Sequence, residues 1–204
     1  MVDFAKALQK NKTHFDKLVA FDCETSGLNF DTLDPSTGYR MISAGLIVAT
    51  SDFEPTEELY VEFKWTDNEI SQWSDYAAKI HGLSKAYLNE HGVTDVEAAE
   101  KIGGLLYEHF GMETPITLLG TNVGTFDYPF LRNFLTSMSI PFKFSHRFLD
   151  TFSLGYGTVK AYTSDELFDI LGFKKRGDHN ALEDARMSLK SFKLLHSLWQ
   201  SEIG

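Results

Sequence analysis

The stretch Leu18–Leu28, LVAFDCETSGL, begins with four apolar residues and changes within one position to acidic and turn-forming ones. Leu18 to Phe21 reads as a buried strand running into Asp22-Cys23-Glu24, and the glycine, asparagine, aspartate and proline content from Ser26 to about Tyr39 reads as a loop. Side chains alternate along a strand, so Asp22 and Glu24 leave one face of the sheet at the strand's C-terminal end and Cys23 leaves the other. Two carboxylates so placed repel each other unless a cation lies between them, and oxygen ligands alone suit Mg²⁺ or Mn²⁺. A solvated strand end is the plainer alternative for a lone D-x-E. Cys23 is expected to be a small core residue.

Outward from this strand, Met41–Ala49 and Glu57–Lys64 read as two further strands, and the turn-like Thr50–Pro55 between them implies a hairpin. Short helices are predicted over 74–80 and 84–90. A longer one over Asp95–Phe110 carries Val96, Ala99, Ile102, Leu105, Leu106 and Phe110 at helical spacing and stops at Gly111. Pro115–Leu119 reads as a strand entering the loop Gly120-Thr121-Asn122. A helix from about Tyr128 to Ser137, a short strand near Phe148-Leu149-Asp150 and a helical remainder ending in Ala181–Ser201 follow. Three strands in a row, then alternation with helices, predict an α/β fold with a mixed sheet flanked by helices. With no repeat, linker or low-complexity tract, residues 1–204 are expected to form one domain, its core over 17–200, preceded by a helix at about 3–16.

Composition narrows the function. The 204 residues are 43% hydrophobic and 24% charged, as in ordinary globular proteins. One cysteine makes no internal bridge, and the first residues lack a charged-then-apolar leader, so a reducing, cytoplasmic location is the expectation. No apolar run approaches the roughly 20 residues needed to cross a bilayer. The net charge of −10 argues at first against a phosphate-rich partner, and 19 of the 29 acidic residues fall in 22–140. An acidic chain can still handle a polyanion where carboxylates hold divalent ions that reverse the local field. No phosphate-cradling P-loop, G-x-S-x-G elbow or C-x-x-C pair points to a different chemistry.

Two later segments carry candidate groups. Asp127 opens a helix with Pro129 in its first turn, a pattern that reads locally as an N-cap, and Asn122 reads as a turn residue. In Asp178-His179-Asn180-Ala181-Leu182-Glu183-Asp184, Asn180 as N-cap puts Glu183 at the capping-box position. His179 and Asp184 then occupy the two positions that pack together across a helix start, which brings an imidazole beside a carboxylate. A structural hydrogen bond is the plainer reading of that pair.

In order, Asp22-x-Glu24, Gly120-x-Asn122-x-x-x-Phe126-Asp127-x-x-Phe130-Leu131 and His179-x-x-x-x-Asp184-Ala185 resemble the DEDDh 3′–5′ exonucleases of the RNase H-like superfamily. Relatives in that family include the epsilon proofreading subunit of bacterial replicative polymerases, RNase T and oligoribonuclease. His81-Gly82-Leu83-Ser84 is similar to the family's mid-chain turn, and the resemblance spans about residues 17 to 200.

It implies an RNase H-like fold with a five-stranded mixed sheet, and hydrolysis of single-stranded DNA, with RNA the alternative, from the 3′ end to nucleoside 5′-monophosphates. By resemblance, Asp22, Glu24, Asp127 and Asp184 hold two Mg²⁺ or Mn²⁺ ions, and His179 is the general base. Thr25 and Leu28 line the 3′-terminal nucleotide, and Asn122 and Phe126 are further substrate-binding candidates, Phe126 at helical spacing also reading as core. The partners implied are a single-stranded 3′ end and a polymerase or other replication protein, as in proofreading or repair. Ser43 stands where many members carry Glu, the loop from Ser26 to Arg40 is long for the family, and Lys174-Lys175-Arg176 could follow a phosphate backbone. The rivals are a silent binding module and a mononucleotide phosphatase.

Overall fold

The computed structural model describes residues 15–28, 38–66, 71–173, 177 and 179–203. The helix expected at 3–16 falls almost wholly outside the described residues, and Phe15 and Asp16 are not helical. Most of the long loop after Ser26 and Lys174-Lys175-Arg176 also lie outside them.

Strand β1 (Lys17–Thr25) continues past its apolar start through Asp22 and Glu24. It pairs antiparallel with β2 (Met41–Thr50), which pairs antiparallel with β3 (Pro55–Glu62), so the predicted hairpin is present. On its other side β1 runs parallel to β4 (Leu118–Gly120), and β4 parallel to β5 (Leu149–Asp150). The five-stranded mixed sheet has the order β3-β2-β1-β4-β5, in agreement with the expected fold class.

The two faces of β1 build two packing layers. Val19, Phe21 and Cys23 face a core completed by Ile102 and Leu106 of α3 (Asp95–Phe110) and by Phe130, Leu131 and Phe134 of α4 (Asp127–Ser137). Leu18 and Ala20 face Ala185, Leu189 and Phe192 of α7 (Ala181–Ile203). Asp22 and Glu24 continue the second stripe, so the carboxylates stand where the apolar contact with α7 ends. Each large side chain fully buried in these layers contributes about 1.5–3 kcal/mol by leaving water.

Helix α3 has the predicted bounds for a local reason: Thr94 and Glu97 form a reciprocal capping box, and Gly111 leaves the helix at φ 63°. Val96 departs from its expected place, being 61% exposed, because the buried face is set by Ala98, Ala99, Ile102 and Leu106. Two short helices, α1 (Asp75–His81) and α2 (Lys85–His91), begin at Ser74 and Ser84, whose hydroxyls accept from the amides three residues on. Helices α5 (Thr151–Val159) and α6 (Ser164–Ile170) join β5 to the segment before α7. Among the described residues no helix is long and apolar enough to cross a membrane.

Candidate active site

Parallel strands β1, β4 and β5 all end at the same edge of the sheet, where an open α/β sheet forms its crevice. A cleft of about 450 Å³ lies there, lined by Asp22, Glu24, Thr25, Leu28, Asn122, Phe126, Asp127, His179 and Asp184. The nine residues that the resemblance assigned to metal, base or substrate thus border one cavity, although the segments come from opposite ends of the chain.

Asp22 and Glu24 sit opposite Gly45 and Ser43 of β2, which confirms that their side chains share a face. Gly45 has a packing role with no sequence signal. A Cβ there would stand 2.4 Å from the Ala181 carbonyl and the Leu182 Cα, so only glycine lets the first turn of α7 rest on the sheet beside Asp22. That turn is held by Asn180, whose side-chain oxygen accepts from the Leu182 and Glu183 amides at 3.1 and 3.2 Å, as an N-cap should. The Glu183 carboxylate pairs with Arg186. His179 precedes the helix, its amide donating to the Ile80 carbonyl at 3.3 Å, and its Nδ1 lies 3.3 Å from Asp184 Oδ2. Further along α7, Ser188 and Thr121 hydroxyls meet at 3.2 Å and tie the helix to the β4 loop.

Asp127 is placed differently from its local reading. It is the first residue of α4, not the N-cap; that position belongs to Phe126 and carries no side-chain cap bond. The carboxylate instead turns to β1, where Oδ1 accepts from the Cys23 amide at 3.0 Å and lies 3.5 Å from Cys23 Sγ. Asp127 is therefore fixed against the peptide that joins Asp22 to Glu24. Its burial pushes the carboxyl up to about 7, the Cys23 hydrogen bonds opposing the rise and the nearby Glu24 adding to it. The Cys23 thiol is buried in the opposite layer, as expected, and is raised by that burial and by the surrounding acids.

Thr25 is buried, its hydroxyl donating to the Gly27 carbonyl at 2.7 Å, while Leu28 is 59% exposed and offers an apolar surface at the cleft mouth. Asn122 takes φ 56° and its carbonyl accepts from the Thr125 and Phe126 amides, so it is the turn residue expected and also borders the cleft. Phe126 packs against the core and against Phe130 at 5.4 Å between ring centroids.

Two contributors were not singled out as site residues from the sequence. Asp150 caps α5 by accepting from the Ser153 amide at 2.7 Å, and its other oxygen accepts from the Asn122 amide at 2.7 Å. The cap is readable from an acid ahead of a helix; the bond across two loops is not. His81 lines the cleft with its Nδ1 accepting from the Leu83 amide at 3.0 Å, and burial, with His179 adding to it, pushes it down to about 4. It is buttressed by Trp73, which stacks edge-on with Trp65, and Lys85 lies over both indoles.

Donor atoms of Glu24, His179 and Asp184 all lie within 4.8 Å of one another. At that spacing two bare carboxylates repel by roughly 3–4 kcal/mol at an effective dielectric of about 20. With Asp22 and Asp127 in the same cleft, the donor set is oxygen-rich and anionic, which fits hard divalent cations.

Residues 19–192 match the Exonuclease (RNase T) family. The 3′–5′ DNA exonuclease Cap18 of Escherichia coli is 27% identical over 192 residues, 92% of this chain and 95% of that protein. An oligoribonuclease of Hahella chejuensis is 27% identical over 183 residues, 87% of this chain and 92% of that one. Among solved structures, E. coli exonuclease I in complex with a dA16 oligonucleotide superposes with a TM-score of 0.71 at 16% identity, over 93% of this chain and 42% of that one. The chain thus spans less than half the length of exonuclease I, and the likeness is one of fold. Since the family match takes in the sheet and all of the cleft's carboxylates, this chain belongs to the exonuclease family.

Proposed function

We propose that the protein removes nucleotides one at a time from the 3′ end of single-stranded DNA and releases nucleoside 5′-monophosphates. The observation that carries this is the convergence of Asp22, Glu24, Asp127, Asp184 and His179 on a single cleft. The four carboxylates would hold two Mg²⁺ or Mn²⁺ ions. Bound there, such ions would supply a nucleophile near neutral pH and offset developing negative charge at the phosphate.

The chain's own residues supply the rest. Asp127, held by the Cys23 amide, and Asp22 and Glu24, held by the register of β1 on β2, keep three acids in a fixed relation before any ligand arrives. His179 borders the cleft beside Asp184, on a segment tethered by one backbone bond to Ile80. It accepts the proton of the attacking water, a task suited to an imidazole. Leu28 and Phe126 give the terminal base an apolar surface, and Thr25 and Asn122 bound the sugar.

DNA as substrate is supported by the relative named a DNA exonuclease, which aligns with this chain almost end to end. An RNA-directed enzyme is the second reading, favoured by the oligoribonuclease at equal identity. Sugar choice turns on whether the 2′-OH is tolerated beside Thr25 and Asn122.

The test is a time course on matched single-stranded DNA and RNA oligonucleotides, each 5′-labelled, with Mg²⁺ or Mn²⁺ and with EDTA. A metal-dependent ladder shortening from the 3′ end is expected, faster on DNA. A faster RNA ladder selects the second reading, and no shortening of either strand rejects both.

A further inference from the structure

Beyond the cleft, α5 and the turn that follows it carry a group of aromatic side chains on the surface. Tyr156 is 47% and Tyr162 is 70% exposed, and both rings contact Phe152, with centroids 6.5 and 5.8 Å away. The two tyrosines are 6.3 Å apart at 76°, and Lys160 Nζ lies 5.0 Å from the Tyr156 ring centroid. Three rings in mutual contact with a cation over one of them form a preorganised π surface.

Two observations indicate what covers it. The first is continuity with the cleft. Phe152 stands two residues after Asp150, which holds the Asn122 amide at the cleft rim, and Tyr162 stands two residues before Ser164, itself a cleft-lining residue together with Phe168. Along the chain the patch thus lies between a residue bonded to the cleft rim and a residue that lines the cleft. The second is the backbone at Lys160, which closes α5 in the left-handed region at φ 62°, ψ 21°. Glycine meets that conformation with less strain, and the lysine found there brings its ammonium group over the Tyr156 ring.

We infer that Phe152, Tyr156, Tyr162 and Lys160 form a platform for the nucleotides upstream of the 3′ end, with Tyr162, the most exposed ring, stacking on a base, Tyr156 supporting it edge-on, and Lys160 meeting the phosphate backbone. Stacking is indifferent to base identity because every base has a π face, which is what an enzyme working along a strand requires. Lys160 gives the patch a cation, and the nearby Glu166 carboxylate is occupied by the Tyr162 and Thr163 amides. The inference rests on the nuclease function proposed above.

The test compares kcat/KM on oligo(dT) of about 20 nucleotides, longer than a typical single-strand site, with kcat/KM on the dinucleotide dTpdT, which has only one nucleotide upstream of its 3′ end. The variants are Tyr156→Ala/Tyr162→Ala and Lys160→Gly. Expected is a roughly 10-fold fall on the long strand, carried by KM, with the dinucleotide unchanged and the Lys160→Gly protein at least as thermostable as the parent. Equal losses on both substrates, or no loss on either, overturn the platform. So does a parent dimer that the variants dissociate while oligonucleotide affinity stays constant, which would make the patch a contact between copies. If the parent protein turns over neither substrate, the nuclease function itself fails. Fluorescence anisotropy of labelled oligo(dT) then decides the platform separately: weaker binding by the variants supports it and unchanged binding overturns it.

Discussion

The Asp127 carboxylate accepts a hydrogen bond from the Cys23 amide at 3.0 Å, joining the first turn of α4 to the peptide between Asp22 and Glu24. The bond explains why a residue at the start of a helix does not cap it, and it separates two substitutions. Asp127→Asn keeps an oxygen for Cys23 and removes a buried acid, so it should lose turnover while matching or exceeding the parent Tm in EDTA. Asp127→Ala leaves the amide unsatisfied and should cost about 1–3 kcal/mol as well as activity. Thermal unfolding with a turnover assay checks both; an active Asp127→Asn protein would take Asp127 out of the metal set.

Asp22→Ala and Asp184→Ala should reduce turnover to background without loss of fold, since each removes one of several crowded carboxylates. Adding Mn²⁺ should raise the Tm of the parent, because a ligand that binds only the folded state stabilises it. The variants should show a smaller rise or none. A full Mn²⁺ shift in Asp22→Ala would place the ions elsewhere.

His179→Ala should lower kcat by about 10²–10⁴-fold, the usual contribution of a positioned general base. It should also keep most of the Mn²⁺-dependent rise in Tm, because the four carboxylates remain. A change confined to KM would assign His179 to substrate binding.

Gly45→Ala tests how α7 reaches the sheet. Its new methyl would lie 2.4 Å from the Ala181 backbone, which must lift, and overpacking of this kind costs about 1–3 kcal/mol. Because that turn carries Asp184 and follows His179, activity should fall further than stability alone explains. Circular dichroism with single-turnover rates measures the two effects; full activity at reduced Tm would show that the site tolerates the shift.

His81 ties stability to pH. It is pushed down to about 4 by burial, whereas in the unfolded chain it titrates near its ordinary value of about 6.5. Between those values the unfolded state binds the extra proton, so stability is fully present above about 6.5 and is lost as pH falls toward 4. Urea unfolding at pH 7 and pH 5 should show a smaller drop for His81→Asn, which can still accept from the Leu83 amide, than for the parent. Equal drops would mean that His81 protonates freely in the folded protein.

Much of this could be read along the chain. The Asp95–Phe110 helix, the hairpin of β2 and β3, and the common face of Asp22 and Glu24 follow from capping residues, turn residues and strand alternation, which act between neighbours a few positions apart. The candidate site was legible only through the resemblance of its ordered motifs to a known family; taken singly, its groups at strand ends and helix starts read as a solvated strand end, a cap and a structural hydrogen bond. The His179–Asp184 pair, five residues apart across the start of α7, is the clearest case.

What only the tertiary structure decided lies between segments distant in the chain. The place of Asp127 depends on an amide 104 residues away, that of Asn122 on a carboxylate 28 residues away, and the approach of α7 on a missing side chain at Gly45. The exposure of Val96 within an apolar pattern follows from which face of α3 the sheet covers. Sequence periodicity reports how a segment folds on itself, because those contacts are made by residues i, i+2 and i+4. Which group a side chain finally meets is set by how the segments pack, and a single sequence records no spacing for that.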